Sequence, residues 1–370
     1  MTERVDMETP EPVGIAMPVA PGDGPVVVDA LWKIRIRLFF KTLRRNWRLF
    51  TANKIGVVGL WIIVFFAGMA LIHPLLMGRV WDPAVYDPVR GYDAPVAEYT
   101  VVEVVEDPLE EMDLMTARIR SNPFVKLGDT VRIPQQPAPP SKSHWLGTDP
   151  LGRDILSQLM YSARAAFLMG FIAAFVTVII ATWVGAVAAY FGGWIDSGLM
   201  RFADLILLVP LIPILIVVGA LFTLTLPMLG VIIGVLSGFG GTAIVLKSQA
   251  LQVSVKPFID AARVAGGSRW HIIARHIVPN VMPLSFLYMM FTVTSAISLE
   301  ATLSFLGLMN VQMSWGIMIH TAHSQGYLLS GTSYWWLLIP AGFAVTLLAA
   351  AFFLVGRAMD EVINPRLRAR

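Results

Sequence analysis

The sequence predicts an all-α membrane protein with six transmembrane helices, cytoplasmic N- and C-termini and an extracytoplasmic insertion between the first two spans. Three observations predict it. The 370 residues are 56% hydrophobic, with mean hydropathy +0.67, and only 14% are charged; an average soluble domain carries about 25% charged residues. Apolar stretches of the roughly 20 residues needed to cross a bilayer recur six times. Lys and Arg gather in segments that fall on one side once six spans are counted.

Residues 1–30 are rich in Pro, Gly and acids without a period and are expected to form a disordered cytoplasmic tail. Residues 31–54 differ. Lys33, Arg37, Lys41, Arg44 and Arg48 recur at helical spacing beside Trp32, Ile36, Phe39, Phe40, Leu43, Trp47 and Phe50. That pattern predicts an amphipathic interfacial helix with its basic groups toward anionic lipid. A nucleic-acid role for the basic run is the weaker alternative, because a membrane span follows at once. The first fifty residues hold no apolar region with a cleavage site, so the first span is expected to be an uncleaved anchor.

The spans are expected at 55–77, 165–190, 199–222, 227–246, 281–299 and 335–355, the last five within a membrane core of 156–356. Pro210 and Pro213 predict a kink or wider turn in the third. Eight Lys/Arg and no acid occupy 31–54. The loop 247–280 has Lys247, Lys256, Arg263, Arg269 and Arg275 against Asp260 alone. The tail 357–370 has Arg357, Arg366, Arg368 and Arg370. These three regions are assigned to the cytoplasm. The segment 78–155, with thirteen acids and eight bases, and the segment 306–334, with neither, are assigned outside. Within 78–155 the runs 99–105 and 130–133 have strand character, and the Pro-rich run 134–140 leads back to the membrane.

The loop 247–280 has a helix–Gly–helix plan. Pro257 suits a first helical turn. Phe258, Ala261, Ala262 and Ala265 are expected to share a small, apolar face. Gly266 and Gly267 supply a stop with positive φ available. Ser268 caps a second short helix through Arg275, and Pro279 closes it before the fifth span. On these physical grounds alone the loop is an ordinary connector.

Four motifs change that balance. Asp260-Ala-Ala and Gly266, followed by Ile277-Val-Pro279-Asn280, form the first. The second is His144-Trp-Leu-Gly147-Thr148-Asp149-Pro-Leu-Gly152-Arg153-Asp154-Ile-Leu-Ser157. The third is Glu300-Ala-Thr-Leu-Ser-Phe-Leu-Gly307-Leu with Ser314-Trp315-Gly316. The fourth is Phe50, Asn53, Lys54 and Gly59, then His73-Pro74-Leu-Leu and Tyr86-Asp87-Pro88. Together, over roughly residues 40–360, they resemble the C-type permease subunit of ABC dipeptide/oligopeptide importers (binding-protein-dependent transport system inner membrane components). Three departures stand out: Asp260 where that family usually has Glu, a longer segment before His144, and a shortened stretch at 309–313.

The resemblance implies a transport subunit, not an enzyme. It is expected in the plasma membrane of a bacterium or archaeon, serving dipeptides or oligopeptides. Oligosaccharides and nickel chelates are the alternative substrates within the same class. It implies a second homologous permease subunit, two ATPase subunits docked at 257–276 and an extracytoplasmic solute-binding protein. No cofactor is expected on this chain; ATP and Mg belong to the partner ATPases. Asp260, Ala261, Ala262, Arg263, Gly266 and Pro279 would form the coupling element. Gly147, Thr148, Asp149, Gly152, Arg153, Asp154, Glu300 and Gly307 would form the external motifs, and the substrate-binding residues are not identified.

Other chemistry finds little support. The chain has no Gly-x-x-x-x-Gly-Lys-Ser/Thr loop for nucleotide hydrolysis and no cysteine for thiolate or disulfide chemistry. Gly331-Thr-Ser-Tyr334 superficially resembles the nucleophile motif of membrane serine proteases, with His320 and His323 nearby but in no fixed geometry. An intramembrane enzyme would need polar groups converging within the bilayer. A self-sufficient channel or secondary transporter would show inverted repeats or midplane charges. The six histidines lack metal-site spacing, and His271 and His276, five apart, are expected to face opposite ways. Glu300 lies about 30 Å along a helix from Asn280, which favours a capping or bracing role at the external boundary. Asp149-Pro150 is expected to open the helix that follows.

Overall fold

The computed structural model describes residues 31–100 and 130–363. It divides into two units, Met1–Trp47 and Arg48–Arg370. Helix α1 (Leu31–Ala52) is continuous, and along it Arg37, Lys41, Arg44, Arg45 and Arg48 are exposed, as are Phe40 and Trp47. The expected tail 1–30 lies outside the described residues.

Asn53 interrupts the chain and caps helix α2 (Lys54–Arg79) by accepting from the Gly56 N–H at 3.0 Å. A short turn, α3 (Pro83–Tyr86), follows with Asp82 as its cap. Strands β1 (Val96–Thr100) and β2 (Thr130–Pro134) then pair antiparallel, with Val96 opposite Pro134 and Thr100 opposite Thr130. This small ribbon is an addition to the all-α expectation, and residues 101–105 of the expected strand lie outside the described residues.

Helix α4 (Ile155–Phe191) is the centre of the bundle. It begins ten residues before the expected second span, because Asp154 rather than Asp149-Pro150 supplies its cap. At 37 residues it is about 54 Å long, well beyond the roughly 30 Å hydrocarbon core. Its inward positions are small: Ala163, Ala166, Ala173, Ala174, Ala181, Ala186 and Ala188 are buried. Small residues permit close helix contact where lipid removes the hydrophobic drive for association.

The expected third span is broken. Helices α5 (Gly193–Leu208) and α6 (Leu211–Leu221) meet at 77° at Val209-Pro210, as the lost N–H of a proline encourages. The expected fourth span is also broken, at 45°, between α7 (Leu226–Phe239) and α8 (Gly241–Ser254). Gly240 is the break, and the sequence reading did not anticipate it. Gly230, Gly234 and Gly238 on α7 face α4; a Cβ on Gly234 would stand 2.6 Å from the Val176 Cβ. Thr177 on α4 donates to the Gly234 carbonyl at 3.2 Å.

After α9 (Pro257–Val264) the chain runs unbroken from Arg269 to Phe305. It starts as α10 (Arg269–Ile272), passes through a π turn (Ile273–Ile277) and continues as α11 (Val278–Phe305). Pro279 therefore does not close the second short helix. In the π turn the Val278 N–H reaches back five residues to the Ile273 carbonyl. This wider turn lets Pro279, which lacks an N–H, enter a continuous helix. Helix α12 (Trp315–Ser324) crosses α11 closely, and α13 (Trp335–Ile363) completes the bundle. Residues 357–363 of the expected tail are thus helical; their anchor is Glu361, which accepts from Asn53 Nδ2 at 2.6 Å.

Among the described residues, four helices are long and apolar enough to cross a membrane, or up to six if each bent pair is one span. The contacts sort them into two ends. At one end Trp315 Nε1 donates to the Leu159 carbonyl, Trp336 Nε1 donates to the Thr148 carbonyl, and His73 meets Ser157. At the other, Asn53 meets Glu361, and Phe191 meets Trp270. Leu224, between α6 and α7, is fully buried and bridges Met309 at the first end.

Candidate functional site: a projecting loop and a buried polar joint

The loop after α8 is built to project. Lys256 lies at the N-cap of α9, with Pro257 in its first turn. Ile259 is fully buried and Ala262 packs beside it, against a cluster containing Ile272, Ile273 and Ile277. Ala262 therefore leaves the face it was expected to share with Phe258, Ala261 and Ala265. Phe258, Ala261, Val264 and Ala265 remain outward, and Val264 is 90% exposed. Asp260 is also outward and pairs with Arg263 at 2.9 Å across one helical turn.

Helix α9 ends in a Schellman arrangement. The Gly267 N–H donates to the Ala262 carbonyl and the Gly266 N–H to the Arg263 carbonyl, both at 3.0 Å. Gly266 has φ +81° with open space where a Cβ would stand, so backbone conformation alone asks for glycine. Ser268 Oγ then accepts from the His271 N–H at 3.3 Å and starts the next helix. Arg263 lies over the Tyr190 ring at 5.4 Å and Arg269 over Phe191 at 6.0 Å. These contacts fix the loop to the last turn of α4.

His271 and His276 lie 5.8 Å apart edge to face, against the expectation that they point apart. A π turn brings residues five apart onto one side. Trp270, 60% exposed, and Val264 belong to the outward face and were missed in the sequence. Their signal was the apolar residue type in an otherwise polar loop.

About 54 Å away, at the start of α4, the second motif forms a buried joint. Asp149 is 4% exposed. Its Oδ1 accepts from the Leu151 and Arg153 N–H groups, and its Oδ2 from Arg153 Nε at 2.7 Å and Gln158 Nε2 at 3.1 Å. Asp154 Oδ1 accepts from the Ser157 N–H at 2.6 Å, and Oδ2 faces His144 Nδ1 at 2.8 Å. His144 Nε2 faces Asp93 at 3.3 Å. Burial pushes the Asp154 carboxyl above its ordinary value, opposed by the Ser157 N–H and His144. Burial, with the Asp154 and Asp93 charges, also pushes the Tyr86 phenol up. Thr148 Oγ1 accepts from the Ala138 N–H at 2.8 Å. Gly147 and Gly152 take φ +78° and +79° against Ala138 and Tyr92.

Ser157 Oγ donates its proton to the Tyr86 carbonyl and so accepts from His73 Nε2 at 3.0 Å. The joint's polar atoms are thus turned toward one another, which makes it a structural rivet rather than a nucleophile with its base.

Glu300 is 2% exposed. It accepts from Ser304 Oγ at 2.6 Å and is hydrogen-bonded by Ser314, the cap of α12. Gly307, φ +72°, lies against His320, whose Nδ1 donates to the Phe305 carbonyl at 2.7 Å. The His323 ring lies 5.3 Å from the Phe305 ring, tilted 40° to it. Neither histidine hydrogen-bonds Ser333 among the described residues. Among the same residues, no three His, Asp or Glu side chains converge to hold a metal.

Residues 178–369, just over half of the chain, match the model of the binding-protein-dependent transport system inner membrane component. The chain belongs to this family. Residues 41–95 also match the N-terminal transmembrane domain of oligopeptide transport permease C. The dipeptide transport system permease protein DppC of Bacillus subtilis is 32% identical over 327 residues, 87% of this chain and 85% of that protein. The oligopeptide transport system permease protein OppC of B. subtilis is 35% identical over 239 residues, 62% of this chain and 74% of that protein. OppC of Haemophilus influenzae is 34% identical over 227 residues, 61% and 71%. Membership makes this chain a multi-pass membrane permease subunit of an ABC importer and a transport subunit rather than an enzyme. ATPase and solute-binding partners follow from membership in general terms.

Proposed function

We propose that this chain is one half of the translocation pathway of a dipeptide or oligopeptide importer, paired with a second homologous permease subunit. It crosses the plasma membrane of a bacterium or archaeon six times, each bent helix pair counting as one span. Both termini and the loop 247–280 are cytoplasmic, α1 lies on the inner leaflet, and 78–155 is extracytoplasmic. Two ATPase subunits, which carry the ATP and Mg, dock on 257–276, and a solute-binding protein delivers substrate from outside. The chain itself holds no cofactor.

One observation carries the reading. The projecting loop and the buried joint sit at opposite ends of α4, a helix longer than a bilayer is thick, with the loop at Phe191 and the joint at Ile155. The names of the relatives support peptide as substrate. In the mechanism, ATP binding draws the ATPases together and levers the loop, and α4 and α11, on which the loop is seated, transmit the movement. The bundle exchanges inward-open for outward-open states, biased by the tighter binding of ATP to one of them. The bends at Val209-Pro210 and Gly240 lie beside one another around a cavity of about 340 Å³, a position suited to a hinge.

Purification in mild detergent from the native membrane, with mass-spectrometric identification of what accompanies the chain, tests this. Two P-loop ATPases and a second permease of the same family are expected, and ligand screening of the companion binding protein then separates peptide from oligosaccharide or nickel chelate. A chain isolated alone after crosslinking would contradict it.

A further inference from the structure

Arg164 lies nine residues into α4, about 14 Å from its start. Its Nε donates to the Ala70 carbonyl at 2.9 Å, and its guanidinium lies 5.5 Å from the Tyr161 ring. Its Nη2 is buried without a hydrogen-bond partner among the described residues, and no carboxylate there pairs with it. Other partly buried cations of the bundle are paired: Arg153 with Asp149 and Lys247 with Asp196. A guanidinium withdrawn from water without a counter-charge is costly, and Arg164 stands at the outer edge of the span expected at 165–190.

Arg164 lines a cavity of about 340 Å³, within the range of small-molecule sites. Thr225, Asn310 and Gln312 also line it, with Leu168 as part of an apolar wall. Tyr161 donates to Gln312 Oε1 at 3.2 Å, which orients the Gln312 amide and leaves its Nε2 to donate. The wall therefore offers a cation whose Nη2 has no partner among the described residues, neutral amide and hydroxyl groups, and apolar surface. Those are the needs of a carboxylate, a peptide main chain and a side chain respectively.

Resting on the peptide-importer reading, we propose that Arg164, with Tyr161 and Gln312, forms a subsite that takes the C-terminal carboxylate of the transported peptide near the external mouth of the pathway. A lipid phosphate shares the anionic chemistry. The carboxylate is favoured because amide and hydroxyl groups surround the cation, and the test separates the two.

The complex purified with its binding protein is reconstituted into proteoliposomes, and uptake of trialanine is compared with uptake of trialanine amide at concentrations that saturate the binding protein. A charged hydrogen bond of the usual strength corresponds to roughly a 10- to 100-fold preference for the free carboxylate. That ratio falls toward one in Arg164→Gln and is partly kept in Arg164→Lys. Tyr161→Phe and Gln312→Ala, which remove no buried charge, each lower the ratio roughly threefold, so the prediction stands even where Arg164→Gln fails to assemble. Equal loss for both peptides would make Arg164 a structural brace to Ala70 and overturn the subsite. An unchanged ratio with less phospholipid retained by Arg164→Gln would assign the cation to lipid and overturn it too. A wild-type complex that transports another solute but neither peptide contradicts the peptide reading and the subsite together, whereas peptide uptake with an unaltered ratio contradicts the subsite alone.

Discussion

His271 and His276 are five residues apart in sequence, yet their rings meet at 5.8 Å, because the π turn Ile273–Ile277 lies between them. An ordinary α-helix would rotate the two some 140° apart. The pair reports directly on that turn in solution. It should chelate Cu(II)–nitrilotriacetate roughly tenfold or more tightly than either histidine alone, measured by electron paramagnetic resonance with His271→Ala and His276→Ala as references. Equal affinity for the pair and the single variants would mean that the turn is α-helical.

Gly266 gives a second prediction. Its φ of +81° has empty space around the missing side chain. Val there should cost about 1–3 kcal/mol and reduce binding-protein-stimulated ATP hydrolysis by the assembled complex. Asn, which tolerates the left-handed region, should restore most of both. Equal damage from Asn and Val would mean that crowding, not φ, controls the position.

The helical bundle was legible because lipid makes apolar length nearly sufficient evidence for a span. The motifs around Gly147–Asp154 and Asp260–Gly266 were legible because turns and caps demand particular residue types. Less legible was whatever depends on a neighbour. Gly240 reads as one glycine among many until α5 lies beside it. Pro279 looks like a helix stop unless the preceding turn widens to receive it. Asp149 and Asp154 are equivalent caps in sequence, and Arg153 and Gln158 decide which of them is occupied elsewhere. The outward face of the loop was only partly read, because Ala262 turns inward with Ile259 while Val264 and Trp270 do not.

The Asp149–Arg153 pair makes a third prediction. Both side chains are nearly buried. Arg153→Met leaves the carboxylate uncompensated and should cost about 3–5 kcal/mol. Adding Asp149→Asn, which keeps an acceptor for the Leu151 and Arg153 N–H groups, should recover much of that loss. Thermal unfolding of the single and double variants in detergent checks it; equal loss in both would show that the charge of Asp149 does not matter.

Asp154 gives the fourth. Burial raises its folded-state pKa, so the group adds stability below its unfolded pKa and loses that contribution as pH rises through the folded one. Asn carries no such dependence. In a His144→Gln background, which removes the imidazole titration, the Tm of the Asp154 protein relative to Asp154→Asn should rise as pH falls from 7 toward 4. A difference that shrinks on acidification would reverse the sign of the shift.

The central claim, that 257–276 is where an ATPase docks, is most directly tested by crosslinking. The chain has no cysteine, so a single Val264→Cys substitution, at a site 90% exposed, gives one addressable thiol. In native membranes this thiol is predicted to capture a P-loop ATPase subunit, while Leu329→Cys, 94% exposed at the other end of the bundle, captures none. Capture of an ATPase from Leu329→Cys, or from neither position, would contradict the account.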